Sequence, residues 1–404
     1  MRIESALLSL LCLAPPALAQ SPALTWTVDT LRSAKLGEAR TLYIATPPGY
    51  NLSTDRYPVL VLLDADDQPQ FTAAVANVQF LASRNAIPGL LIVGVPNGKD
   101  RTHDLTPPAT GETAKTFPTA GGADAFASFI LDEVLPTVRA KYRALNTTVL
   151  AGHSFGGLFA VHVAAIRPGA FTGIVAMSPS LWWNDSTDVL PYANAIARAD
   201  ARTRLFASSG GLEPPIDITT RRFESRLDSI KPANLAFAAT HYPEDTHGLT
   251  PQPSLIDGLR YVFEPISLIN APVMAVAKPD SASIVKAFAQ TESTYAAGAR
   301  SLGMPEHLPE LQVNSYGYAV LQAFKLPNVA VWVFRRNVAN YPSSPNVYDS
   351  LGDALLAAGD STQARTEFRM ARDVAVKEGQ KPSTATLHKL EQLEGLTQAG
   401  KQKP

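Results

Sequence analysis

The 404-residue chain carries 35 Lys plus Arg against 36 Asp plus Glu, a formal net charge of −1, so no basic surplus is available to neutralise phosphates and nucleic acid is an unsuitable partner. Apolar residues at 46% and charged residues at 18% exclude wholesale disorder and imply sizeable cores. At this length two domains are expected rather than one.

The first residues, MRIESALLSLLCLAPPALAQ, combine a cation at Arg2, an apolar run from Ala6 to Ala14 and the ending Ala17-Leu18-Ala19. This is the pattern of a secretory signal peptide cleaved after Ala19. The run is short for a bilayer span, and no later stretch offers about 20 uninterrupted apolar residues. An exported protein, periplasmic or secreted, is therefore expected. Cys12 is the only cysteine, and Leu11 before it argues against lipidation. The mature chain then has no thiol for a disulfide, a nucleophile or a zinc site.

Residues 39–45 (ARTLYIA) predict an early antiparallel strand. Residues 57–64 (YPVLVLLD) and 90–95 (LLIVGV) are continuous apolar runs, as in strands buried on both faces, with a helix between them over 71–84. Residues 123–142 have helical spacing, bent at Pro136. Strands follow over 147–151, 173–177, 204–207 and 235–239, with helices over 157–166, 192–198 and 220–230. This alternation predicts an α/β fold, a doubly wound and mostly parallel sheet, over residues 20–270.

After a boundary at Ala277-Lys278-Pro279-Asp280 the pattern turns helical. Ala330 and Ala364, Phe334 and Phe368, and Leu321 and Leu355 are each 34 apart. The second copy, NVYDSLGDALLAAGDSTQARTEFRMA, resembles a tetratricopeptide repeat, in which small residues allow close packing and large ones fill the groove. The first copy departs from it, with Gly317 and Tyr318 where Leu and Gly are usual and Asn337 in place of the last Ala. Residues 280–397 are thus expected to form a smaller all-α domain. Two copies fall short of the three usually needed for independent stability, so these helices should pack on the first domain. They could also dock a protein partner or support self-association.

The stretch VLAGHSFGGL holds Ser154 in a Gly-x-Ser-x-Gly turn between a predicted strand and a predicted helix. Such a turn forces the serine into a strained conformation that lifts its hydroxyl clear of the sheet, and Gly152 and Gly156 remove side chains that would clash. The amide of Phe155, at the helix N-terminus, is a natural oxyanion donor. A hydroxyl needs a base, and in the chain order Ser, acid, His the base follows the last strand. His247, in the loop YPEDTHG, fits, while His241 belongs to the strand or its end. Glu213, after the strand at 204–207, is the leading candidate for the acid; Asp217 and a Ser-His dyad stay open. Trp182 and Trp183 are adjacent, so one can face the core while the other lines the site.

Together these residues resemble the esterase branch of the α/β-hydrolases, which includes siderophore, feruloyl and acetylxylan esterases and S-formylglutathione hydrolase. The matches are GHSFGG, VLLDADD, PSLWW, THG with Tyr261, and PNGKDRTHDLTP, which is most like the siderophore-esterase subgroup. Ala65 departs from the family, which often has glycine there. The resemblance implies a second oxyanion donor in the backbone of Asp66, and Arg101 near the pocket mouth, binding substrate through its fork. It implies a serine esterase that forms an acyl-enzyme on a small-molecule ester, with no metal or organic cofactor required. An acyltransferase on the same fold, or a repeat-mediated binding protein with a vestigial hydrolase domain, are the alternatives.

Overall fold

The apolar runs become the centre of one eight-stranded sheet in the computed structural model of the protein, which describes residues 24–276 and 279–401. The strands are β1 Thr27–Arg32, β2 Ala39–Ala45, β3 Tyr57–Leu63, β4 Leu91–Val95, β5 Ala144–His153, β6 Gly173–Met177, β7 Thr203–Gly210 and β8 Leu235–Tyr242. Their order is β1-β2-β4-β3-β5-β6-β7-β8. Strands β3 to β8 are parallel, and β1 and β2 form an antiparallel end. Every residue of β3 and β4 is buried, as expected for strands covered by helices on both faces. The sequence did not mark β1, whose alternation is weak and whose residues are largely exposed at the sheet edge. The signal-peptide pattern and Cys12 lie outside the described residues, as do Ala277 and Lys278. Among the described residues no helix is long and apolar enough to cross a membrane.

The helix expected over 123–142 is interrupted by a single wide turn at Ile130–Val134, directly before Pro136. Proline lacks the amide that would continue the ladder, and one wider turn with bonds five residues apart absorbs the loss. One face of the sheet packs against Phe126, Phe129, Phe159, Trp183 and Phe223. The other packs against Phe71 and Phe263, and the same cluster continues into Phe288, Tyr295 and Tyr316 of the helical tail.

The tail is thus docked on the sheet domain. Gly298, in the helix Ser281–Ser301, lies under Pro265, where an added Cβ would fall 1.8 Å from the carbonyl oxygen. Asp55 accepts the Glu310 amide at 3.1 Å, and Glu310 accepts the Thr54 amide at 3.0 Å. Thr147, early in β5, donates to the Leu302 carbonyl at 3.1 Å. The contacts of Thr54, Asp55 and Thr147 lie near the starts of β3 and β5.

Within the tail, Gly317 packs on the ring of Phe334 and Gly352 on that of Phe368; an added Cβ would approach them to 2.4 and 2.5 Å. The two glycines therefore hold equivalent places, although 17 residues separate the first pair and 16 the second. The extra residue is absorbed by a wide turn at Ala319–Ala323. The mismatch at Gly317 and Tyr318 is a one-residue insertion, not a change of packing.

Candidate active site

The end of β5 delivers Ser154 at the N-terminus of the helix Phe155–Ile166, with φ 61° and ψ −117°. An L-residue seldom adopts this backbone, and here the surroundings over-determine it. The Ser154 amide donates to the Met177 carbonyl at 3.0 Å, and its own carbonyl accepts the amides of Leu158 at 2.9 Å and Ser180 at 3.1 Å. A Cβ at Gly152 would fall 2.3 Å from the Gly156 carbonyl, which is why only glycine fits there. Ser154 Oγ lies 3.3 Å from Ser180 Oγ.

His247 sits in the loop between β8 and the helix Pro251–Phe263. Its Nδ1–H donates to Glu213 Oε2 at 2.5 Å. Glu213 is 7% exposed and also accepts from Ser178 Oγ at 2.5 Å and from the Gly210 amide. Burial pushes its carboxyl up, but the hydrogen bonds from His247, Ser178 and Gly210 outweigh this and hold it below the ordinary glutamate range. Thr250 Oγ1 lies 2.8 Å from Ser178 Oγ and 3.1 Å from the His247 carbonyl. Among the described residues nothing bonds His247 Nε2, so that nitrogen is open to take a proton.

Asp217, the other carboxylate considered, lies elsewhere. It accepts from Ser209 Oγ at 2.5 Å and lies 3.0 Å from Nδ1 of His241, whose Nε2 faces Glu224 at 2.8 Å. His241 is in β8, as the sequence indicated.

Phe155 is the first residue of its helix, so its amide has no carbonyl a turn earlier to bond. A second unbonded amide lies in the loop after β3. Ala65 N–H bonds the Val95 carbonyl at 3.3 Å and Asp67 N–H the Asp64 carbonyl at 3.1 Å, whereas the Asp66 amide has no partner among the described residues. The carboxylate of Asp66 is turned to Asn97, whose amide it accepts at 2.9 Å. Alanine is tolerated at 65 because the positive φ of this loop, 56°, falls on Asp64. The Ala65 methyl is buried beside Gly94, where an added Cβ would meet it at 2.9 Å.

Arg101 stands beside the elbow, but its fork is engaged rather than open. Nε and Nη2 donate to the two oxygens of Asp64 at 2.6 and 2.9 Å, Nη2 reaches the His153 carbonyl at 3.3 Å, and the group lies over the Phe155 ring at 5.4 Å. Burial works against its charge, and Asp64 more than compensates. The adjacent tryptophans divide. Trp183 is fully buried, while Trp182 is half-buried and packs with Phe117 and Phe155 at centroid distances of 6.0 Å. Leu212, next to Glu213, and Leu249, in the loop of His247, are each 61% exposed.

Sequence reasoning passed over His153, Ser178, Ser180, Thr250 and Asp64. The first sits in the elbow motif and the two serines in SPSLWW, so their positions were visible, but the partners that give them meaning come from other strands.

Residues 33–223 match the family model described as "Putative esterase". A siderophore triacetylfusarinine C esterase of Aspergillus fumigatus is 32% identical over 223 residues, covering 50% of this chain and 75% of that one. A ferri-bacillibactin esterase of Bacillus subtilis is 31% identical over 142 residues, covering 32% of this chain and 49% of the relative. Among solved structures, an IroE-like serine hydrolase from Shewanella oneidensis superposes with a TM-score of 0.65 at 26% identity, covering 78% of this chain and 99% of its own.

Proposed function

The chain belongs to the esterase family of the α/β-hydrolases and is an ester hydrolase, and from that premise we propose that it cleaves a small acyl or aryl ester, of the siderophore type its relatives' names carry, through Ser154, His247 and Glu213. The observation that carries this reading is the bond from His247 Nδ1 to Glu213 at 2.5 Å, made by a ring packed against the residue before Ser154. With Nδ1–H committed to the carboxylate, Nε2 takes the Ser154 proton as Oγ attacks the ester carbon. The amides of Phe155 and Asp66 receive the negative charge that develops on the carbonyl oxygen. The protonated His247 then returns its proton to the departing alcohol, leaving an acyl-enzyme. Water, deprotonated by the same nitrogen, releases the acid and restores the serine.

Trp182, Phe117 and Phe155 form an aromatic wall suited to the acyl or aryl part. With its fork held by Asp64, Arg101 acts on the substrate chiefly through the charge and shape it gives the wall. The pattern at residues 1–19 supports an exported enzyme, and the Gly-Phe packing of the tail helices supports a tetratricopeptide-like reading of the tail. Ser154→Ala should abolish hydrolysis of p-nitrophenyl esters by purified protein and remove labelling by a fluorophosphonate probe. Retained turnover would refute the assignment.

A further inference from the structure

His153 belongs to no step of the mechanism above, yet it is bound to the base. Its ring packs on His247 with centroids 4.3 Å apart and planes tilted by 36°, and its Nε2 lies 2.9 Å from the His247 carbonyl oxygen. A carbonyl only accepts, so Nε2 carries the proton.

Counting protons shows how much that carbonyl depends on His153. The single hydroxyl proton of Ser178 goes to the Glu213 carboxylate at 2.5 Å. Ser178 Oγ therefore accepts from Thr250, 2.8 Å away. Thr250 also has one proton, and the His247 carbonyl is the more distant of its two acceptors, at 3.1 Å. His153 Nε2–H is the donor left for the carbonyl.

The charged groups facing His153 are His247, Asp64 and Glu213, with Arg101 on its own carbonyl. Burial and the neighbouring His247 hold the imidazole neutral down to about pH 4, against the pull of the two carboxylates. It can therefore stay a one-proton donor while His247 charges and discharges.

We infer that His153 is a positioning residue that ties the base loop to the nucleophile strand, fixing His247 relative to Ser154 through its Nε2–H bond to the His247 carbonyl. Ser154 follows it directly in the chain, so the rigid end of β5 sets the places of both reacting groups. The inference rests on the esterase reading for its kinetic consequence, but not for the tie itself.

The test compares His153→Phe, which keeps the stacked ring and loses the donor, with His153→Gln, whose side-chain amide can donate from a similar position. His153→Phe should lower kcat about 10- to 100-fold, the scale of a small misplacement of reacting groups. KM and the acid limb of the pH-rate profile should be nearly unchanged. His153→Gln should recover most of the loss, and both variants should melt cooperatively. The rate of Ser154 labelling by a fluorophosphonate should follow the same order. Undiminished kcat and labelling in His153→Phe would overturn the tie. A loss as complete as that of Ser154→Ala, with no recovery in His153→Gln, would also overturn it, because His153 would then be the base. If the wild type cleaves no ester but its labelling still follows this order, the esterase reading fails and the tie stands.

Discussion

Glu213 and Asp217 are four residues apart, and only their partners separate their roles. Glu213 meets His247; Asp217 meets Ser209 and His241. On the proposed triad, Glu213→Gln keeps the shape but loses the carboxylate that would stabilise imidazolium, so kcat should fall by about 10²- to 10⁴-fold. Asp217→Asn should leave kcat within about threefold, and steady-state kinetics on one ester compares the two. The folded carboxyl of Glu213 is held below its ordinary value of 4.5. Its contribution to stability is therefore present above that pH and lost as pH falls through the lowered value. Ser154 was legible as the candidate nucleophile because one stretch of ten residues contains the end of its strand, its glycines and the start of its helix. Glu213 was legible only as the leading candidate for the acid, with Asp217 and a Ser-His dyad left open, since its bond to His247 joins residues 34 apart in the chain.

At the level of elements, legibility followed burial. The parallel strands announced themselves as unbroken apolar runs because helices cover both their faces. β1 did not, since an exposed edge strand needs no such run. In the tail, matching positions at a fixed spacing misread the first copy, because a wide turn can take up one residue without moving the packed face. Gly352 is the sharper test of that packing. In Gly352→Ala the new methyl would meet the fully buried Phe368 ring at 2.5 Å, and the overpacking should cost about 1–3 kcal/mol. Gly395→Ala, with nothing within 4 Å, should be neutral or slightly stabilising, as alanine generally is in a helix. Thermal melts of the two variants make the comparison.

For the whole molecule the decisive feature is the docked tail. Its core runs without a break from Phe263 into Phe288 and Tyr316, so ending the chain at residue 276 strips an apolar face. The shortened protein should melt well below the full chain, and equal melting temperatures in calorimetry would contradict this. Asp55 and Glu310 add a pH dependence. Burial raises both carboxyls above their ordinary values, against the hydrogen bonds they accept. Their stabilising contribution is thus full below the unfolded values, near 4, and lost as pH rises through the raised ones. Urea unfolding should show the wild type losing stability relative to Glu310→Gln as pH rises above about 4. No sequence reading could have paired residues 255 apart; only the fold brings them together. The seam touches β5 at Thr147, and Ser154 follows the strand's end seven residues on, or roughly 23 Å at the usual rise. The protein is therefore a two-ended tool. A ligand smaller than that span, held at the tail end, would leave the Ser154 end open and could act on it only by deforming that strand or by delivering substrate.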